Sequence, residues 1–155
     1  VFREDIGWWR VERQQGKWDW SYYDQLIALY EKQGIELQAI CAWVPGWVLG
    51  KFNRTGCPEE WGEFIRRFAK HYRGRVRYME VWNEPDINTF GRNPERYLKL
   101  LRIAYNETKK NAPEMLVMTG GVSGMVTTDQ QTAFVRKMLR DGKKHYDIIA
   151  AACQE

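Results

Sequence analysis

The chain has 155 residues, the length of a single domain, and it is 44% hydrophobic and 28% charged. Apolar residues are spread throughout, which excludes a wholly disordered chain, and no stretch approaches the roughly 18 consecutive apolar residues that a membrane-spanning helix needs. The net charge of +4 is modest and the basic residues form no stripe, so we expect neither nucleic acid nor a membrane as a partner.

The first half of the chain alternates predicted strands with a predicted helix. Residues 1–6 read as a short strand, and a loop rich in Trp and Gly covers residues 8–20. Ser21 is the predicted N-cap of a helix over residues 22–33, because apolar side chains recur there at helical spacing. Residues 35–42 are the second predicted strand, and another Trp-rich loop follows it.

The second half continues the alternation. Its predicted elements, in order, are a helix from Pro58 to about Gly74, a strand over 76–82, a helix over 94–111, a strand over 115–119, a helix over 129–140 and a fifth strand over 146–151. Proline favours the first turn of a helix, and two of these helices begin with it. Short apolar strands separated by helices predict a parallel sheet covered on both faces.

The spacing of the strands indicates an α/β barrel. Predicted strands start about 36 residues apart, and a (β/α)8 TIM barrel of about 250 residues repeats every ~31. We therefore predict an α/β fold, a partial (β/α)8 TIM barrel of about five β/α units in one domain over residues 1–155. Such a piece leaves sheet edges uncovered, so we expect an oligomer or a missing complementary segment.

Polar and aromatic side chains gather where the predicted strands end. The residues that follow strand C-termini include Trp8, Trp9, Trp43, Trp47, Asn83, Glu84 and Asp86. Ligands bind at the carboxyl ends of the strands both in barrels and in open parallel sheets. This asymmetry predicts a site at that end of the sheet however the sheet closes.

The segment over residues 78–86, Tyr-Met-Glu-Val-Trp-Asn-Glu-Pro-Asp, carries the sharpest signal. Pro85 ends the strand and is expected to hold Glu84 extended. Period two places Glu80, Trp82 and Glu84 on one face, predicted to line the barrel interior, and Asn83 reaches that face only with a local twist or bulge at the strand end. The alternative is an ordinary turn, since Asn, Pro and Asp are common turn residues.

Residues 79–85 closely resemble the signature of the clan A retaining glycoside hydrolases, whose acid/base lies in an Asn-Glu dyad after the fourth barrel strand. Residues 8–24, 34–47 and 146–149 resemble segments of the family 39, β-xylosidase-like members. The resemblance covers the second to the sixth strand of that barrel. It implies hydrolysis of O-glycosyl bonds in β-linked, plant-type oligosaccharides or polysaccharides, with no cofactor and no metal; secretion is compatible with the resemblance, but the sequence leaves the compartment open.

The resemblance also implies roles for individual residues. Glu84 would be the general acid and then the general base, and Asn83 would bind the 2-hydroxyl of the sugar. Arg3 matches an arginine that supports the nucleophile carboxylate. Retaining hydrolysis needs two carboxyl groups about 5 to 5.5 Å apart, so these residues supply half of the catalytic pair.

Four tryptophans are candidate platforms for the apolar C–H face of a pyranose ring. They are Trp8, Trp43, Trp47 and Trp82. The alternative for each of them is packing in the hydrophobic core.

The chain departs from the family at its end. In the family the nucleophile is a Glu on the seventh strand, whereas this sequence reaches Glu155 near the sixth, after Cys153 and Gln154. We therefore expect the chain to be truncated before its nucleophile and to be inactive by itself.

Other kinds of site find little support. His71 and His145 are isolated, and the three cysteines form no Cys-x-x-Cys pair, so we predict no metal site. Two further hypotheses stay open. The chain is either a non-catalytic carbohydrate-binding or structural partial-barrel module, or an open α/β domain with a protein partner.

Overall fold

The computed structural model of the chain describes residues 1–50, 57–87, 90, 93–123 and 128–151. Strands and helices alternate along it. In chain order the elements are β1 (Phe2–Gly7), α1 (Trp8–Val11), α2 (Ser21–Lys32), β2 (Leu37–Ala42), α3 (Pro58–His71), β3 (Tyr78–Asn83), α4 (Pro94–Asn111), β4 (Leu116–Gly121) and α5 (Asp129–Asp141).

The four strands form one parallel sheet in the order β1-β2-β3-β4. Each strand lies beside the next one in the chain, and a helix connects them. Parallel neighbours joined through helices are the repeating unit of a (β/α)8 barrel. The predicted α/β class and the predicted parallel pairing are therefore confirmed.

The fifth predicted strand, residues 146–151, is not a regular strand of this sheet. It runs parallel to β4 but meets it only through isolated bridges at Ile148 and Ala151. The carboxylate of Asp147 accepts a hydrogen bond from the Val117 N–H at 2.8 Å. Because this side chain takes up a backbone donor of β4, the segment follows the strand without a continuous ladder.

The helices begin close to their predicted positions. α3 and α4 start at Pro58 and Pro94, as predicted. Ser21 is the first residue of α2 and not its N-cap, because the Asp19 carboxylate accepts from the Ser21 N–H and O–H at 3.0 and 2.6 Å. Within the described part of the chain, no helix is both long enough and apolar enough to cross a membrane.

The hydrophobic core lies between the sheet and the helices and is mostly aromatic at the carboxyl ends of the strands. Trp8 stacks on Phe64 of α3, with ring centroids 5.4 Å apart. Trp61, also on α3, packs on Trp82 at 6.0 Å and donates its indole N–H to the Leu100 carbonyl at 3.1 Å. These large rings hold the ends of β1 and β3 against one helix.

Gly120 on β4 marks the closest approach of two strand ends. A Cβ at this position would lie 2.7 Å from the Val81 oxygen, and 2.9 Å both from the Trp82 oxygen and from Pro85 Cδ. The ends of β3 and β4 are also bridged by Tyr97 of α4. Its hydroxyl accepts from the Gly120 N–H at 2.6 Å and donates to the Val81 carbonyl at 3.0 Å. Only glycine lets β4 approach the end of β3 so closely.

Replacing Gly120 with alanine is expected to lower the free energy of unfolding by about 2–3 kcal/mol, because the added methyl collides with backbone that has little room to move. Urea denaturation of the two proteins measures this difference. The matched control is Gly46→Ala, where an added Cβ meets nothing within 4 Å. Equal stabilities of the two variants would contradict the close approach.

Candidate active site

The site is built around a buried carboxylate, Glu80, at the centre of β3. Its side chain is 0% exposed. Arg3 donates to it twice, from Nε to Oε2 at 2.8 Å and from Nη2 to Oε1 at 2.7 Å. Gln38 Nε2 donates to Oε2 and the Gly121 N–H donates to Oε1, both at 2.7 Å. Both oxygens thus accept two hydrogen bonds, which compensates the loss of water around a buried charge.

Each of the four strands contributes a residue to this cluster. The parallel register of the strands explains why these residues lie side by side. Arg3 on β1 is paired with Gln38 on β2, which is paired with Tyr78 on β3. Glu80 follows two residues later on the same face, opposite to Met79, which contacts Thr108 of α4. The predicted placement of Glu80 on the face away from the helices is therefore confirmed.

Asn83 joins the cluster through Arg3. Nη2 of Arg3, already bonded to Glu80, also donates to Asn83 Oδ1 at 2.8 Å. The strand end is twisted here without an extra residue, because Val81 and Asn83 keep their regular partners Thr119 and Gly121 while Trp82 between them has a left-handed φ of 71°. One left-handed residue breaks the period-two alternation and brings Asn83 to the face of Glu80.

The same left-handed residue overturns the predicted orientation of Trp82. Its side chain is 2% exposed and lies in the core against Trp61 and Phe90, whose ring centroids are 6.0 and 5.1 Å away. It neither shares the face of Glu80 nor offers a surface to a sugar. Alternation failed at this position because it assumes a regular extended backbone, and the backbone is left-handed.

Glu84 lies immediately beyond the strand, half-buried, and its N–H donates to the Gly121 carbonyl at 3.0 Å. Its φ is 44°, so the expected extended conformation before Pro85 is wrong. Proline favours an extended preceding residue, and Glu84 departs from that preference where its N–H bonds to β4. Within the described residues its carboxylate accepts no hydrogen bond, so it is open to a ligand.

Arg3 connects these groups electrostatically. The pKa of its guanidinium is raised, chiefly by the hydrogen bond to Glu80, against a smaller lowering by burial. The negative charges of Asp5 and Glu84 raise it further. Arg3, predicted to support a carboxylate, therefore lies within the field of Glu84 but makes its direct contacts with Glu80 and Asn83.

The predicted tryptophan platforms divide into two groups. Trp8 is 0% exposed, stacked in the core, and its indole N–H donates to the Glu12 carboxylate at 2.7 Å. This burial contradicts a stacking role for Trp8. Trp43 and Trp47 are partly exposed at the carboxyl end of the sheet. Trp9, by contrast, has an indole that is 45% exposed. The sequence pattern did not indicate that Trp9 is exposed while the adjacent Trp8 is buried.

A second buried carboxylate, Asp86, anchors the loop that follows Glu84. It is 0% exposed and accepts from the Ser123 N–H at 3.0 Å and the Ser123 hydroxyl at 2.7 Å. Gln131 of α5 donates to the same hydroxyl at 3.0 Å. The sequence named Asp86 only as a polar residue after a strand, because nothing in the local pattern links it to Ser123.

Neither histidine belongs to this site. His71 bonds to Asp24 at 2.8 Å, and His145 lies edge-on to Tyr105. Among the residues that the structure describes, no group of three His, Cys, Asp or Glu side chains is arranged to hold a metal ion. Cys153 and Glu155 lie outside the described residues.

No protein-family model matches the chain, and no curated protein matches it. Several solved structures, however, do match the chain. A family 39 glycoside hydrolase from Bacteroides cellulosilyticus WH2 matches 96% of the chain with a TM-score of 0.77 at 21% identity. Xylanase 10B from Thermotoga petrophila RKU-1 matches 92% with 0.70 at 19%, and a family 1 β-glucosidase from Thermotoga maritima matches 88% with 0.65 at 17%.

These similarities show the fold. The chain has the architecture of part of a (β/α)8 barrel of the kind found in clan A glycoside hydrolases, and it aligns with 31%, 47% and 38% of the length of the three enzymes. The chain therefore spans less than half of each of them. At these identities the fold says little about which chemistry the chain performs.

Replacing Arg3 with glutamine is expected to lower the free energy of unfolding by about 2–4 kcal/mol, because the buried Glu80 charge loses its ionic partner. The matched control is Arg77→Gln, which breaks a pair with Glu36 whose side chains are 59% and 51% exposed. Exposed pairs contribute about 0–1 kcal/mol. Chemical denaturation at neutral pH compares the two variants with the parent. Equal losses in the free energy of unfolding would contradict the central role of the Glu80 cluster.

Replacing Trp8 with alanine is expected to cost about 3–5 kcal/mol of stability, because a fully buried indole leaves a cavity. The adjacent Trp9→Ala change removes a side chain that is 45% exposed and is expected to cost about 1 kcal/mol or less. Thermal and urea unfolding of the two variants measure the contrast. A Trp8→Ala protein as stable as the parent would restore Trp8 as a candidate for ligand contact.

Proposed function

We propose that the chain forms part of the barrel of a retaining glycoside hydrolase and that Glu84 is its general acid and base. One observation carries the proposal: the Asn83-Glu84 pair stands at the carboxyl end of β3, with Asn83 held by Arg3 and the Glu84 carboxylate open. Functional groups of barrel enzymes occupy this end of the strands. The structural neighbours, a family 39 enzyme, a xylanase and a β-glucosidase, support the same class.

The arrangement suits the first step of glycoside cleavage. Glu84 donates its proton to the glycosidic oxygen as the bond to the anomeric carbon breaks, and the resulting carboxylate later takes a proton from the attacking water. Arg3 donates to Oδ1 of Asn83, which fixes the amide. Its Nδ2, with no hydrogen-bond partner in the described part of the chain, is then available to the sugar 2-hydroxyl.

A retaining reaction also needs a nucleophilic carboxylate. Glu80 does not meet this requirement, because both of its oxygens are already occupied by donors from Arg3, Gln38 and Gly121. We propose that the nucleophile comes from outside the described residues, from a complementary segment or another copy that also covers the free edge of β1. Xylan-type and other β-linked plant saccharides are the proposed substrates.

The 155-residue chain is expected to bind xylo-oligosaccharides but to release no product above buffer from p-nitrophenyl β-xyloside or β-glucoside. Binding is expected because Asn83 and Glu84 are in place, and turnover is not, because retaining hydrolysis needs a second available carboxylate that the described residues do not supply. Calorimetry with xylotetraose measures binding, and the absorbance of released p-nitrophenol measures turnover. Turnover that disappears in Glu84→Gln would contradict the missing nucleophile while supporting Glu84.

In a longer natural form that does hydrolyse glycosides, Glu84→Gln is expected to reduce kcat about 10²- to 10⁴-fold on substrates with poor leaving groups, because proton donation is lost. Substrates with dinitrophenol leaving groups need less protonation and are expected to lose less. Glu114→Gln, an exposed glutamate far from the strand carboxyl ends, is the matched control. If both variants kept full activity, Glu84 would not be the acid.

The non-catalytic alternative has one observation in its favour. Of the two glutamates at the end of β3, only Glu84 has an open carboxylate among the described residues, since Glu80 is fully hydrogen-bonded. A carbohydrate-binding module needs only the aromatic and polar contacts. Saccharide binding with no hydrolysis in any longer form of the protein would favour this alternative.

A further inference from the structure

Three buried polar side chains join the turn that contains Glu84 to the end of β4 and the start of α5. The turn is closed by the Ile87 N–H, which donates to the Glu84 carbonyl at 3.3 Å. Asp86 lies within it, and its carboxylate accepts from the N–H and the hydroxyl of Ser123 at 3.0 and 2.7 Å. We call Asp86, Ser123 and Gln131 the Asp86 latch. Their exposed fractions are 0%, 4% and 7%.

The far side of the latch is fixed to a helix. Gln131 Nε2 donates to the Ser123 hydroxyl at 3.0 Å and lies 3.4 Å from Oδ2 of Asp86. Gln131 is in the first turn of α5, and its backbone N–H donates to the hydroxyl of the N-cap residue Thr128 at 3.1 Å. The turn after β3 is therefore held by a regular element and not by another loop.

Glu84 stands between two contacts with the same stretch of chain. On one side its N–H donates to the Gly121 carbonyl at 3.0 Å, and on the other side Asp86 is bonded to Ser123. Between these contacts Glu84 has a φ of 44°, although a residue before proline favours an extended conformation. A disfavoured backbone conformation persists only where the surrounding structure determines it. The latch supplies the second of the two contacts.

We propose that Asp86 is a positioning residue for Glu84. Its bonds to Ser123 keep Glu84 in the left-handed conformation, in which the carboxylate is open beside Asn83. Asp86 is buried, so it acts on the sugar only through Glu84. A displacement of about 1 Å in a reacting group can cost about 100-fold in rate, which makes such a constraint important for a proton donor. This inference rests on the proposed function and names the residue that places its acid.

The competing interpretation is that Asp86 only stabilises the fold, and Glu12 offers a matched comparison. Glu12 is 3% exposed and accepts from the Trp8 indole N–H at 2.7 Å and from the Gly16 N–H at 2.8 Å. Like Asp86 it is a buried carboxylate with one backbone donor and one side-chain donor. Its partners lie in the segment after β1 and not in the turn of Glu84. A purely structural role predicts the same effect on Glu84 from either change.

The test compares Asp86→Asn and Glu12→Gln in the isotope-labelled 155-residue chain by NMR. Asparagine leaves one acceptor oxygen for the two Ser123 donors. The three-bond coupling between the amide and α protons of Glu84 reports its φ, and hydrogen exchange of its amide reports the bond to Gly121. In Asp86→Asn the coupling is expected to rise towards the extended value and the amide to exchange about tenfold faster. Glu12→Gln is expected to match the parent in both.

Ser123→Ala keeps the test decisive if Asp86→Asn does not fold. It removes the hydroxyl donor to Asp86 and leaves the backbone N–H, so a smaller change in the same direction is expected. The Gly120 amide, which donates to the Tyr97 hydroxyl, is the internal reference for the end of β4. A Glu84 coupling and exchange rate that stay unchanged would overturn the positioning role. Equal changes in Glu12→Gln would overturn it as well.

Kinetics separate this inference from the proposed function. In a longer form that hydrolyses glycosides, Asp86→Asn is expected to lower kcat on xylobiose about tenfold with little change in KM, because the acid is displaced while sugar contacts remain. Dinitrophenyl β-xyloside needs less protonation and is expected to lose less. Equal losses on the two substrates would overturn action through Glu84. Full activity of Glu84→Gln would overturn the proposed function, whereas the NMR comparison would still decide whether Asp86 holds the Glu84 backbone.

Discussion

The ion pair between Arg3 and Glu80 is the interaction on which the rest of the site depends. A carboxylate with 0% exposure is stable only when donors replace water, and here the donors come from the three other strands, β1, β2 and β4. The pair therefore fixes the register of the sheet at its centre. It also keeps Glu80 from acting as a reactive group, because both of its oxygens are occupied, and it leaves Arg3 to orient Asn83.

Left-handed backbone at the strand ends shapes the candidate active site at the carboxyl end of the sheet. Trp43, Trp82 and Glu84 have φ values of 63°, 71° and 44°, in a region that costs non-glycine residues about 1–3 kcal/mol each. Burial of the Trp82 ring among other aromatic rings offsets part of that cost. Gly120 gives the twisted end of β3 the room it needs. The strain brings Asn83 to the polar face and leaves the Glu84 carboxylate open.

The two faces of the strand ends have different roles. Trp8 and Trp82 pack inward against α3 and stabilise the barrel fragment, whereas Trp9 and Trp43 border a cleft beside β1. Adjacent tryptophans in the chain thus divide between core and surface. A chain with 14% aromatic residues thus places some of its rings in the core and leaves others exposed.

The sequence alone determined the alternation of strands and helices, the parallel sheet, the helix starts at Pro58 and Pro94, and the inward face of Glu80, because these follow from hydrophobic period and local proline chemistry. It did not determine the orientation of Trp82, the conformation of Glu84 or the burial of Trp8. The bonds of Arg3 to Glu80 and of Asp86 to Ser123 span 77 and 37 residues. Only the tertiary structure decided these features, because contacts between distant residues, and the left-handed backbone at the end of β3, leave no periodic trace in the chain.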